Sequence, residues 1–148
     1  MAELAAVVQP FTERTAQRGT VEVHLAGVKV SWFRYDYGLL QPLKKWRGVE
    51  LLTVPDLAAM KLAAIQGRST RRDFIDIYTI LEQTTLTLPE LLGLFIAKFP
   101  RANLQHLVDS LVYFDEADRE RMPVTFIRAT WATIKKRIRA AVGSLGEK

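Results

Sequence analysis

The hydrophobic pattern of this chain changes its period near Pro55. Before that residue, residues 20–25 and 28–35 alternate apolar and polar side chains, as half-buried strands do, and short glycine-containing connections separate them. After it, apolar residues recur at the spacing of helices with one buried face. The pattern predicts an α+β fold, with a short antiparallel or mixed sheet in the N-terminal half and helices in the C-terminal half.

Turn residues and helix start signals define the predicted elements. Strands are predicted at Phe11–Gln17, Thr20–Leu25, Val28–Tyr35 and Val49–Leu52, and one or two helical turns at Met1–Val8. Helices are predicted at about residues 55–66, 70–83, 89–98, 103–114 and 124–142. No repeat or low-complexity linker interrupts them, so we expect a single domain over residues 1–148, with residues 1–54 mainly strands and residues 55–148 mainly helices.

Composition excludes several classes of protein. The 148 residues include no cysteine, which excludes a disulfide framework, a thiolate zinc site and a cysteine nucleophile. With two histidines, a histidine-rich metal centre is also excluded. No apolar run reaches the roughly 18 residues that a membrane span needs, and the first residues lack the positive start of a secretory signal. We expect a cytoplasmic protein without a membrane partner.

The chain is basic, with a formal net charge of +5 and a pI of about 9.7. Such an excess favours a phosphate-bearing partner. A run of four cations around one isoleucine, residues 135–139, is compatible with a nucleic-acid backbone but equally with a solvated helix face. Nucleic-acid binding is left open by this run.

Charged residues fall on the apolar sides of two predicted helices. Lys61 lies between apolar positions of the first helix, and Asp73 and Asp76 lie on or beside the apolar side of the second. A lysine is almost never buried without a partner. If the helices form a hairpin through residues 67–69, the two carboxylates meet Lys61 and Arg68.

Two interpretations of this cluster remain open. In the first, Lys61, Arg68 and Asp73 form a structural group of ion pairs that holds the hairpin. In the second, cations and carboxylates face a cleft suited to a triphosphate and a divalent metal. Arg71 and Arg72 would then add phosphate contacts at the helix start, where the helix dipole favours anions.

The same residues carry a family resemblance. Residues 28–40 and 57–65, Arg68 and residues 72–78 resemble the nucleotidyltransferase-like AbiEii/AbiGii toxin family. The resemblance implies a polymerase-β-like nucleotidyltransferase fold, Mg²⁺, a nucleoside triphosphate, and a role in bacterial toxin-antitoxin or phage-defence systems. It also implies that Lys61 contacts the triphosphate or holds the active site together, and that Arg72, Asp73 and Asp76 belong to a functional motif.

The catalytic signature of the family is a Gly-Ser turn followed by an acidic pair, upstream of the first strand seen here. This chain has no Gly-Ser before residue 143 and no aspartate before Asp36. The resemblance therefore implies an incomplete fold: the C-terminal portion of such a protein, from a truncated gene or a start codon assigned too late. We expect no catalysis by the chain alone, but retained nucleotide or phosphate binding at a set of four cations: Lys61, Arg68, Arg71 and Arg72.

The alternative function is a non-catalytic interaction module. A sheet that lacks its first strands exposes an edge near Phe11–Gln17, and an uncovered edge pairs readily with another chain. The module would then act as a homodimer or as the partner of a cognate antitoxin.

Overall fold

A computed structural model describes residues 11–17, 19–25 and 27–146. The helical turns predicted at Met1–Val8 lie outside the described residues. The fold has two compact units, which divide between Tyr37 and Gly38. Strands occupy the N-terminal half and helices the C-terminal half, so the predicted α+β class is confirmed.

The first unit contains an antiparallel meander of β1 (Phe11–Gln17), β2 (Thr20–Leu25) and β3 (Val28–Phe33), in the order β1-β2-β3. Gly19 and Gly27 lie in the two turns with φ of 84° and 80°, a conformation that glycine adopts without strain. The three predicted strands are confirmed, although β3 ends at Phe33 rather than Tyr35.

The second unit begins with a two-stranded hairpin of β4 (Lys44–Trp46) and β5 (Val49–Leu51). Its turn residues, Arg47 and Gly48, both have positive φ, at 48° and 81°, as a two-residue hairpin turn of the primed type requires. The short strand predicted at residues 49–52 is confirmed as β5, whereas its partner β4 was not predicted.

Six α-helices follow among the described residues, with a short 3-10 helix (Ser144–Gly146) after the last, and the α-helices bury most of the described core. They are α1 (Val54–Arg68), α2 (Arg71–Gln83), α3 (Leu88–Lys98), α4 (Leu104–Val112), α5 (Asp115–Arg119) and α6 (Trp131–Gly143). Helix α1 packs against α2, α3 and α4, and α6 packs against α2 and α4. None of the described helices is long and apolar enough to cross a membrane.

Two details of the helix prediction are wrong. The last helix begins at Trp131 rather than near residue 124, because Thr130 caps it by accepting a hydrogen bond from the Thr133 N–H at 3.2 Å. The buried side of α1 also differs from the predicted apolar side, which included Leu57. Ala58, Leu62 and Ile65 are buried, whereas Leu57 is exposed. Lys61 consequently lies at the edge of the buried face rather than in its middle.

Candidate functional site

The turn between α1 and α2 brings the predicted site residues together. Ser69 ends α1 in the left-handed conformation, and its N–H and hydroxyl donate to the carbonyl oxygens of Ala64 and Ile65. Helix α2 begins at once after Thr70. This tight connection makes the helices a hairpin, as predicted, and places Lys61 and Arg68 beside the first turns of α2.

Asp73 is the centre of the cluster and is fully buried. Arg68 donates to both of its oxygens, from Nε at 2.9 Å and from Nη2 at 3.1 Å. The Thr70 hydroxyl donates at 2.5 Å and Lys61 Nζ at 3.3 Å. Burial alone would raise the pKa of Asp73, but the hydrogen bonds from Arg68 and Thr70 and the two positive charges lower it. Asp73 is therefore an ionised carboxylate.

Lys61 bridges a buried and an exposed carboxylate. Its Nζ lies 2.6 Å from Asp76 Oδ2 and 3.3 Å from Asp73 Oδ1. Burial alone would lower the pKa of Lys61, but Asp76 and Asp73 outweigh it and raise that pKa. The Asp76 side chain is 44% exposed, so water can solvate it when the lysine takes another anion.

Two clefts open beside this cluster, with volumes of about 640 Å³ and 520 Å³. Lys61, Arg72 and Pro123 line both of them, and Arg68 and Arg121 line the larger one. Within the described residues, the side chains of Arg72 and Arg121 have no hydrogen bond or ion pair to a protein group. Their charges are available to an anion in the clefts.

Arg71 lies apart from the other predicted phosphate ligands. Its side chain is buried and donates to the carbonyl oxygens of Ala117 at 2.9 Å and Asp118 at 3.2 Å, and its guanidinium lies 4.8 Å from the ring centre of Trp131. Its N–H donates to the Glu120 carboxylate at 2.8 Å. Arg71 lines neither cleft and joins α2 to the segment around α5.

A second buried ion pair was not predicted from the sequence. Lys98 Nζ lies 2.6 Å from Asp56 Oδ1, and neither side chain is exposed. Lys98 is three residues after buried Phe95 and seven after buried Leu91, on the buried side of α3. The reasoning that singled out Lys61, a lysine at an apolar helical position, would have found Lys98 as well.

The clefts present cations to a phosphate group, whereas the described residues contain no preformed all-protein metal site. Magnesium needs carboxylate or other oxygen ligands, whereas Asp73 is saturated by Lys61, Arg68 and Thr70. Among residues 11–17, 19–25 and 27–146, no group of three or more acidic or histidine residues could hold a metal ion. A phosphate group, in contrast, meets four cations in the lining of the larger cleft, Lys61, Arg68, Arg72 and Arg121.

Comparison with known proteins identifies the family of the chain. The family model described as nucleotidyl transferase AbiEii toxin, Type IV TA system, matches residues 14–144. An uncharacterized protein of Aquifex aeolicus (strain VF5) is 35% identical over 98 residues, which are 65% of this chain and 48% of that protein. The chain thus matches about half the length of this relative. No solved structure matches. From the extent of the family match, the chain belongs to the AbiEii nucleotidyl transferase toxin family.

Proposed function

We propose that the cleft beside Lys61 binds the phosphates of a nucleotide, and that the chain alone does not catalyse nucleotidyl transfer. The observation that carries the proposal is the pair of unpartnered cations, Arg72 and Arg121, facing the same cleft as Lys61. Together with Arg68, four cations line this cavity; they attract a polyphosphate, and charge-assisted hydrogen bonds hold it. The family assignment supports a nucleoside triphosphate as the ligand.

Asp73 and Asp76 have different roles in the proposed site. Asp73 is fully buried and orients Lys61 and Arg68, because its oxygens accept from both. Asp76 is half-exposed and holds Lys61 alone. An incoming phosphate replaces Asp76 at the lysine ammonium while Asp73 stays in place. Arg71 is left out of the proposed site because its guanidinium is bound to backbone carbonyl oxygens.

Calorimetric titration without metal tests the binding site. ATP, GTP, CTP, UTP and inorganic tripolyphosphate are titrated into the wild-type chain and into Arg72→Gln. We expect binding, and a loss of about tenfold to a hundredfold in affinity in the variant, since a hydrogen bond to a charged group contributes about 1.5–3 kcal/mol. Lys136→Gln, the same charge change on the exposed face of α6, is the control and should bind as the wild type does. No binding at millimolar ligand would refute the site.

The absence of catalysis is tested separately. Without carboxylates placed to hold the metal, two-metal phosphoryl transfer has no site in the described residues. Purified chain, a radiolabelled nucleoside triphosphate and Mg²⁺ should leave RNA and protein unlabelled. Label transferred at a rate that Lys61→Ala abolishes would overturn this part of the proposal and leave the binding site intact.

A second candidate function, an interaction module, rests on the sheet of the first unit. The order β1-β2-β3 leaves the outer edges of β1 and β3 without a strand partner among the described residues. Edges of this kind template pairing with another chain, either a second copy or an antitoxin. Size-exclusion chromatography with light scattering checks the interaction module. A dimer supports edge pairing, and a strictly monomeric chain that also does not bind a cognate antitoxin refutes it.

A further inference from the structure

The hairpin of β4 and β5 is exposed along its whole length. Every residue from Lys44 to Leu51 is exposed, and Trp46 exposes 59% of its surface. A two-stranded hairpin has little stability of its own in water. Some other part of the fold must therefore hold this one in place.

The buried Asp56–Lys98 pair supplies the support at both ends of the hairpin. On the N-terminal side, the N–H groups of Leu40 and Gln41 donate to Asp56 at 2.9 Å and 3.1 Å. On the C-terminal side, the Thr53 hydroxyl donates to the same carboxylate at 3.4 Å. The segments just before and just after residues 42–52 are thus both hydrogen-bonded to one buried carboxylate, which anchors the hairpin.

The anchored hairpin carries cationic and aromatic side chains. Between Gly38 and Thr53 the charged residues are Lys44, Lys45, Arg47 and Glu50, three cations against one carboxylate. None of them has an ion pair with a described residue. The Arg47 guanidinium lies 5.0 Å from the ring centre of Trp46.

Two of the four cations in the basic run on α6, in contrast, are paired with carboxylates. Lys135 pairs with Asp118 at 2.8 Å, and Arg137 pairs with Glu82 at 2.7 Å. Arg139 lies over the ring of Phe114. The hairpin, by comparison, has no cation that is paired with a described carboxylate, so all three of its cations remain available to a partner.

We propose that the β4–β5 hairpin binds single-stranded nucleic acid, with a base stacked on Trp46 and phosphates at Lys44, Lys45 and Arg47. An exposed aromatic ring among unpaired cations is the combination that holds single strands, because bases stack on the ring while cations follow the backbone. An acidic peptide would satisfy the cations but would leave the indole ring without a stacking partner.

Fluorescence anisotropy with a short fluorescein-labelled single-stranded RNA tests the proposal across a series of salt concentrations. Trp46→Ala should weaken binding by about tenfold, as expected for one lost stacking contact of about 1–3 kcal/mol. The double variant Lys44→Gln/Lys45→Gln should flatten the dependence of log affinity on log salt by about 0.7 per lost phosphate contact. Glu50→Gln should tighten binding.

Matched controls test whether the hairpin itself holds the RNA. Lys136→Gln places the same charge change on α6 and should bind as the wild type does, and an unlabelled acidic peptide should not compete. All substituted side chains are exposed, so far-UV circular dichroism should be unchanged. The proposal is overturned if Trp46→Ala binds normally, if Lys136→Gln loses as much affinity as the lysine double variant, or if the acidic peptide displaces the RNA.

Discussion

Two aspartates on neighbouring helices, Asp56 on α1 and Asp73 on α2, are both fully buried and both bound to lysine, yet their surroundings differ. The lysine of Asp56 is Lys98, which is buried with it, whereas the lysine of Asp73 is Lys61, whose side chain is 32% exposed and lines two clefts. A buried carboxylate alone therefore does not mark a ligand site. The exposure of its cation separates a structural clamp from a site that can take a ligand.

The largest effect should come from removing the cation of the closed pair. Lys98→Met leaves the Asp56 charge buried without its partner, and breaking a buried pair in this way costs about 3–5 kcal/mol. The free energy of unfolding in urea measures it. A loss below about 1 kcal/mol would show that Asp56 is solvated or neutral in the variant, and the contrast between the two pairs would fail.

Acid should weaken the ion pairs of both buried aspartates, with a sign that follows from the pKa values of Asp56 and Asp73. Burial opposes ionisation of Asp56 and Asp73, but hydrogen bonds from Lys98 and from Arg68 respectively outweigh it, so both pKa values are lower in the folded chain. Their stabilisation is complete above the unfolded pKa of about 3.9 and is lost as the pH falls through the lower folded value.

The unfolding free energy measured against pH checks this sign. It should stay level from neutral pH to about 5 and fall below about 4. Asp73→Asn should show a shallower fall, and exposed Asp109→Asn should follow the wild type. A decline that starts near neutral pH, or one that Asp73→Asn leaves unchanged, would contradict the assignment.

The smallest effect on stability, and the largest on binding, is expected for Lys61→Met. Asp73 keeps Arg68 and Thr70 as donors, and half-exposed Asp76 turns to water. The loss of unfolding free energy should therefore be about 1 kcal/mol or less, as for exposed ion pairs. Tripolyphosphate binding, measured by calorimetry, should be lost. If this variant is as unstable as Lys98→Met, the Lys61 cluster is a structural clamp as well.

Local sequence signals were sufficient for the α1–α2 hairpin. The distance along the chain from Lys61 to Asp73 is short, and helical periodicity placed both on facing sides, so their ion pair followed from the pattern. The Asp56–Lys98 pair joins residues far apart in sequence, and its partner α3 was predicted without any indication of which helix it would contact. Periodicity also placed the start of α6 too early, because it does not register the Thr130 cap.

Arg71 and Arg72 show the same contrast between what local sequence predicts and what packing decides. Both carry the same charge at the start of α2, and sequence reasoning treated them alike. In the folded chain the Arg71 side chain is buried and donates hydrogen bonds to the carbonyl oxygens of Ala117 and Asp118, while Arg72 lines the clefts. One step along a helix turns a side chain by about 100°, and the packing of α5 decides which side is covered.

The α+β order, the helix hairpin and the family of the chain were predictable from the amino-acid sequence, because they depend on periodicity and on motifs within short stretches. Which cations are neutralised and which remain available depends on the packing of the folded chain. That outcome depends on distant partners: Asp118 and Glu82 neutralise Lys135 and Arg137, and Asp56 and Lys98 hold the base of an exposed hairpin. The amino-acid sequence shows where the charged residues are, but their ion-pair partners depend on how the chain packs.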